Sequence, residues 1–251
     1  SVEAEEVLFQ DLDPAALVDR VVTIDGDTTD FDLRAVHDTI YQELTAADVT
    51  AGVTLRCVVN AGVVVGSTST STAAFDVGTF PAGLSITIEV LGRIQGKGGA
   101  GASVSEGATS GVGADGRAGG LALYTRYAVD LDGDGDLWGG GGGGGAPTNT
   151  PFLSAGGGGG GTGYQVGPGG AGKGSADDGA DGTQTAGGAG GNGTTTYDGG
   201  DGGAPGTAGA AGGTASGAPA GGAGGSAGSA IDGVSYVTAV GTVDVQGPTV
   251  N

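Results

Sequence analysis

Hydrophobic residues recur with two different periods in the first part of the chain. Leu33, Val36, Ile40 and Leu44 fall at helical spacing on one face. They predict a helix over residues 31–44, with Asp30 or Asp32 placed to cap its start. Around this stretch the period drops to two. Leu55, Cys57 and Val59 alternate with other residues, as do Ile86, Ile88 and Val90, and Val, Ile and Thr dominate. That pattern predicts strands. Residues 127–131 read the same way, and Val237, Ala239, Gly241, Val243 and Val245 mark an alternating tail. The tail is expected to return and pair with the earlier strands.

One local pattern occurs three times, at residues 62–66, 92–96 and 135–139: Gly, any residue, an aliphatic residue, any residue, Gly. The intervals are 30 and 43 residues, so no strict repeat holds. Three similar strand-turn-strand units stacking into one sheet or a short solenoid are expected. No run of about 18 apolar residues predicts a membrane-crossing helix.

Composition divides the chain. Of 62 Gly in 251 residues, 8 lie in 1–96, 51 in 97–229 and 3 in 230–251. Three arrangements compete for the middle part. A flexible linker is the ordinary behaviour of Gly-rich sequence. A collagen helix needs unbroken Gly-X-Y and abundant Pro, but the three-residue period of 203–212 breaks and only 5 Pro lie between 97 and 229. A bundle of polyglycine-II-like segments fits the short runs 139–145 and 156–161, separated by turn-like stretches at 146–155 and 194–198. Such segments have three residues per turn and no internal hydrogen bonds, so buried backbone groups must pair with neighbouring segments. The bundle is the preferred reading. The fold class expected is therefore mainly β: a small β-rich head with one helix over 1–96, a Gly-rich bundle over 97–229 with a β insertion near 121–138, and a returning β tail over 230–251.

Charge narrows the partners. With 8 Lys plus Arg against 28 Asp plus Glu, the net charge is -20. Nucleic-acid binding rests on Lys and Arg and is not expected. A large negative charge suits solubility and halophilic surroundings, and high salt would screen its self-repulsion. A halophilic or marine origin is one expectation. The acidic opening of the chain, residues 1–6, shows no leader pattern. The lone Cys57 permits no internal disulfide and reads as a buried small hydrophobe.

Most chemical motifs are near misses. Residues 167–175 approach a phosphate-binding loop, but Gly174 separates Lys173 from Ser175, where Ser or Thr must follow Lys directly. Asp130, Asp132, Asp134 and Asp136 open like a Ca²⁺ loop, yet the twelfth position, a Glu in the full motif, is Gly141. These four carboxylates are the candidate metal site, for Ca²⁺ or another cation. The competing reading is a solvated acidic strand and turn. No motif requires a cofactor. His37 has no second His beside it, and Asp177 with Asp178 shows no sheet-borne acid pair, so no catalytic residue is assigned and the chain is not expected to be an enzyme. Asn192, Gly193 and Thr194 match a glycosylation acceptor. Four aromatics stand isolated in Gly-rich surroundings: Trp138, Phe152, Tyr164 and Tyr197. They are the candidate binding residues, because exposed rings give large, rigid contact area. Alternatively they seal the ends of the glycine bundle.

Residues 53–101 and 116–145, followed by Gly-rich sequence and a short β tail, resemble the Gly-rich tail-fibre and tail-tip proteins of tailed viruses of prokaryotes. The likeness spans about residues 20–245. The layout of Gly runs is also similar to distal adhesins whose receptor loops sit on stacked polyglycine-II helices. This resemblance implies a structural virion protein of the distal tail that attaches to the host surface. It further implies a head that anchors and oligomerises, with a homotrimer favoured. The partners it implies are other tail or baseplate proteins and a host receptor, either a glycan or a surface protein, without membrane insertion. A capsid turret or baseplate decoration is the alternative, and a Gly-rich cell-surface protein is a third. Whether the Gly segments pair within or between chains is open at this stage.

Overall fold

We describe the protein from a computed structural model that places residues 19–104, 113–148, 153–194, 196–214 and 218–251. The chain winds into a three-sided parallel β-solenoid, laying one strand on each face per coil. The first coil holds β1 (Asp19–Ile24), β2 (Thr28–Thr29) and β3 (Phe31–Asp32). The second coil holds β4 (Thr54–Val59), β5 (Val64–Gly66) and β6 (Phe75–Asp76). The third holds β7 (Ser85–Val90), β8 (Arg93–Gln95) and β9 (Leu123–Tyr124). The fourth holds β10 (Val129–Asp132), β11 (Asp136–Trp138) and β12 (Ile231–Asp232). The fifth holds β13 (Val237–Val240), β14 (Asp244–Gln246) and β15 (Thr249–Val250). Each face is a five-stranded sheet. The tail thus returns as expected and closes the last coil.

Register explains the alternation. Val22, Cys57, Ile88 and Leu131 stack in line on the first face, and Val65, Ile94, Leu137 and Val245 on the second. On the third, Phe31 stacks on Phe75 with ring centroids 5.1 Å apart, followed by Leu123 and Ile231. All but Val245 are buried. Fully burying a large aliphatic side chain stabilises by about 1.5–3 kcal/mol, so these inward ladders hold the solenoid together. Burial also pushes the Cys57 thiol up to about 12.

The three Gly-bounded units are β5, β8 and β11 with their corners, neighbours on the second face. Their glycines mark close approaches between coils. A Cβ on Gly92 would lie 2.3 Å from the Val63 carbonyl oxygen, and one on Gly135 would lie 2.2 Å from that of Gly92.

The helix expected over 31–44 is shorter. α1 (Leu33–Tyr41) starts under an Asp32 cap whose Oδ1 accepts from Ala35 N at 2.9 Å, and it stops at Gln42, where φ is 67°. Leu44 is buried but belongs to the link. A second helix, α2 (Ala46–Thr50), begins at once because Thr45 and Asp48 form a reciprocal capping box. Hydrogen bonds from the Thr45 side chain and backbone hold the Asp48 carboxyl below the ordinary value.

Two excursions leave the solenoid after β8 and β11 and return into β9 and β12. Together they build the glycine bundle, whose described backbone bonds lie within one chain. Run 140–146 is one axis. Its N–H groups donate in rotation: Gly140, Gly143 and Ala146 to Gly120, Arg117 and Ala114; Gly141 and Gly144 to Thr162 and Gly159; Gly142 and Gly145 to Thr207 and Ala210. Its carbonyls accept from three further segments, 99–102, 200–203 and 222–228. Run 156–162 is the second axis and repeats the scheme. It donates to segments 99–102, 177–180 and 197–203 and accepts from 141–144, 167–170 and 188–191. A three-residue rotation among six neighbours is the polyglycine-II pattern. It also explains the unbroken Gly, since a segment with six neighbours has no direction left for a side chain. A Cβ on Gly143 would sit 2.0 Å from Ala100 O, and one on Gly158 would sit 2.1 Å from Gly144 O. Outer segments face solvent on one side and carry a side chain at every third position. Pro168 and Ala171 are exposed in this way.

Candidate functional site

The bundle has two different ends. Gly139 follows β11 directly and donates to Gln246 of β14 at 2.9 Å, so one end rests on the solenoid. Seven residues at about 3.1 Å each carry run 139–145 roughly 20 Å away. At that far end the chain turns around Ser154, Ser175, Thr194 and Thr214. Ser154 Oγ lies 3.1 Å from Ser175 Oγ and accepts from Ser175 N at 3.1 Å. Thr194 donates to Ser154 O at 3.0 Å through both N and Oγ1. Gly221 N donates to Thr214 Oγ1 at 2.9 Å, and Thr148 Oγ1 donates to Pro219 O. Leu153 stands 40% exposed on this hydroxyl-bound surface. Beneath it Ala102, Val104, Ala146, Ala155 and Tyr197 form a small apolar plug. Among the described residues, the far end is therefore a set of hydrogen-bonded turns over an apolar plug, with Leu153 exposed.

The flanks of the bundle show why Asp is so abundant. An outer segment has N–H groups aimed where no further segment lies, and carboxylates fill those directions. Gly169 and Gly172 donate to Asp181 and Asp178, each at 2.8 Å. Gly190 and Gly193 donate to Asp201 and Asp198, each at 2.8 Å, and Ala223 donates to Asp115 at 2.8 Å. Sequence reasoning missed this role. The signal was the three-residue spacing of Asp178 from Asp181 and of Asp198 from Asp201, one full turn of such a segment. The same bonds dispose of the phosphate-loop likeness at 167–175, because the N–H groups of Gly169 and Gly172 already bind carboxylates.

The predicted aromatics fall in three places. Tyr197 is 7% exposed, inside the plug. Tyr164 lies in a turn at the solenoid end, where its ring covers Gly66 so closely that a Cβ there would lie 2.0 Å from Tyr164 Cγ. Trp138 stands on β11 with the Arg93 guanidinium 3.9 Å from its ring centroid, and its Nε1 donates to Asp244 Oδ2 at 3.2 Å. Phe152 lies outside the described residues.

The four candidate metal ligands spread along β10, the next turn and β11. Asp130 accepts from Thr238 Oγ1, Asp132 Oδ1 accepts from Gly133 N at 2.8 Å, and Asp136 pairs with Arg93 at 3.0 Å. Asp134 is exposed in the turn. Among the described residues no three His, Cys, Asp or Glu converge as a cation site. Asp177 and Asp178 also point to different partners, Asn192 Nδ2 at 3.2 Å and Gly172 N at 2.8 Å.

Comparison with protein families matches residues 19–250 to the phage tail fibre adhesin Gp38. The chain belongs to that family. This adhesin therefore acts in host attachment at the distal tail, with the tail fibres rather than with capsid turrets or baseplate decorations. Its fold is similar to a solved structure described as the gp37-gp38 adhesin tip complex of the bacteriophage S16 long tail fiber. That match has 20% identity and a TM-score of 0.54, covering 92% of this chain and 82% of that one. A search of curated proteins gave no match.

Proposed function

We propose that the adhesin mounts on another tail-fibre protein through its solenoid and meets a host receptor with the far end of its glycine bundle. One observation carries this reading. The segments beneath the far-end turns are locked by backbone bonds in every direction, so the turn side chains have little packing duty and are available for contact. Leu153 supplies exposed apolar area there, and Phe152 is its neighbour in sequence. Trp138, Tyr164 and Tyr197 act as supports, the first two at the solenoid and the third under the turns. The work of this surface is binding. Three copies per fibre is a separate proposal that rests on the resemblance alone, and mass measurement of the assembled tip decides it.

Adsorption competition tests the reading. Purified adhesin is incubated with host cells, and unadsorbed virus is counted. Saturable blocking is expected. Leu153→Asp should weaken blocking by roughly tenfold, the loss of one anchoring contact. Thr185→Arg, on an exposed turn at the solenoid end, should leave blocking unchanged. Periodate or protease treatment of the cells then separates a glycan receptor from a protein one. Well-folded adhesin in large excess that leaves adsorption untouched would overturn the proposal.

A further inference from the structure

The chain contains one histidine, His37, which lies outside the far-end surface proposed for attachment. His37 is fully buried in the seam between α1 and β1. Its Nε2 lies 3.3 Å from Arg20 Nη1, and its Nδ1 lies 2.8 Å from Asp38 Oδ1. A guanidinium can only donate, so Nε2 is the acceptor and Nδ1 carries the proton, which it donates to Asp38. The ring packs on Tyr41 and meets Phe80 edge-on, with centroids 5.6 and 5.8 Å away. The charged groups around it are Arg20 from β1 and Arg34 and Asp38 from α1. Asp48 from α2 reaches Arg20 at 3.5 Å, and Glu43 reaches Arg34 at 3.1 Å. The Phe80 loop presents an uncharged ring, and Tyr41 presents its phenol.

Arg20 and Tyr41 link this seam to the edge of the solenoid. Arg20 also donates to Gln42 O at 3.4 Å, at the left-handed residue that ends α1. A non-Gly residue in that conformation is strained and persists only while its surroundings hold it. Tyr41 is its neighbour. The Tyr41 hydroxyl donates to Val21 O at 2.8 Å and accepts from Val21 N at 3.2 Å. Val21 lies on β1, the outermost described strand of the first face. Tyr41 therefore occupies backbone groups that an added strand would use.

We propose that His37 is an acid-sensitive latch: proton uptake at Nε2 expels Arg20, releases Gln42 and lifts Tyr41 from β1, opening that edge of the solenoid. Protonation removes the acceptor that Arg20 uses and sets a second positive charge against it. Burial lowers the His37 pKa from its ordinary 6.5, the Asp38 hydrogen bond opposes this, and the Arg20 charge adds to the lowering. The unlatched state then binds the proton more readily. Latch stability is complete above about pH 6.5, falls as pH drops toward the latched-state value, and levels off below it. Each unit of depression weakens the latch about tenfold.

Because His37 is the only histidine, its NMR titration is unambiguous. In the full chain, the midpoint is expected below 6.5. Over the same interval, Val21 amide protection, corrected for intrinsic exchange, should fall about tenfold per unit of depression, while amides of β7 keep theirs. Arg20→Gln should move the midpoint upward and shrink the step. His37→Gln should abolish the step; if that variant does not fold, the wild-type and Arg20→Gln titrations still decide. A midpoint at or above 6.5, an unmoved midpoint in Arg20→Gln, or constant Val21 protection through the titration would overturn the proposal.

Discussion

Replacing Gly143 by Ala tests whether close backbone packing, rather than glycine's flexibility, dictates the unbroken runs. An added Cβ would lie 2.0 Å from Ala100 O, 2.3 Å from Ala100 C and 2.7 Å from Gly101 N, against ordinary contact at 3.4–4 Å. All three atoms are backbone, so no side chain can swing aside. Segment 97–104 must retreat by more than an ångström. That retreat strains the bonds Gly99 N to Gly141 O (2.9 Å), Ala102 N to Gly144 O (2.9 Å) and Arg117 N to Ala100 O (2.9 Å). At about 1 kcal/mol each, and more for a buried group left unpaired, the loss is about 3–5 kcal/mol. Ala also restricts the unfolded chain, a gain of about 0.4–1 kcal/mol. The net is about 2–4 kcal/mol of destabilisation. For a chain of this size each kcal/mol moves Tm by about 2–4 °C, so a fall of roughly 4–16 °C is expected by circular dichroism. Ala171→Ser, at an exposed outer position, should shift Tm little. An unchanged or higher Tm for Gly143→Ala would refute the packing argument.

Two further outcomes follow from the same geometry. Asp181→Ala removes the acceptor of Gly169 N and should cost about 1 kcal/mol, while Asp181→Asn keeps an acceptor oxygen and should cost less; urea unfolding of the pair measures the difference. With its thiol pushed up to about 12 by burial, Cys57 should resist a thiol reagent at pH 8 in the folded adhesin and react promptly in denaturant, and rapid reaction of the native protein would contradict its placement.

Much of this architecture is legible in the sequence because each part leaves its own period. Helical spacing locates α1, alternation locates β4 and β7, and the Gly-bounded units locate β5, β8 and β11. Unbroken glycine marks the bundle axes, since only a fully surrounded segment excludes every side chain. The rest is hidden for physical reasons. Strands of two residues, such as β6 and β12, are too short to alternate. α2 has five residues and announces itself only through Thr45 and Asp48. The third and fourth coils are interrupted between two of their strands, which hides the five-coil count. At the far end, the turns follow no period at all. Tyr197 looks isolated in sequence because the residues that bury it, such as Val104 and Ala155, arrive from distant segments. The acid surplus, read as a sign of habitat, has a use within the fold as acceptors along the flanks.

The interruption of the fourth coil also sets an order of assembly. β11 ends at Trp138 and β12 begins at Ile231, so the coil cannot close until the long excursion between them has compacted. That excursion carries few side chains to collapse around, and it pays the largest backbone entropy of any composition. The early coils, built from local strand pairs and aliphatic ladders, are therefore expected to form first and to template the glycine segments leaving them. The last coil closes at the end, because it rests on β12. Folding of this adhesin should run in one direction and be slow, as topologies rich in distant pairings are. Pulse-labelled hydrogen exchange would then protect β4 and β7 well before β12; simultaneous protection would argue against this order.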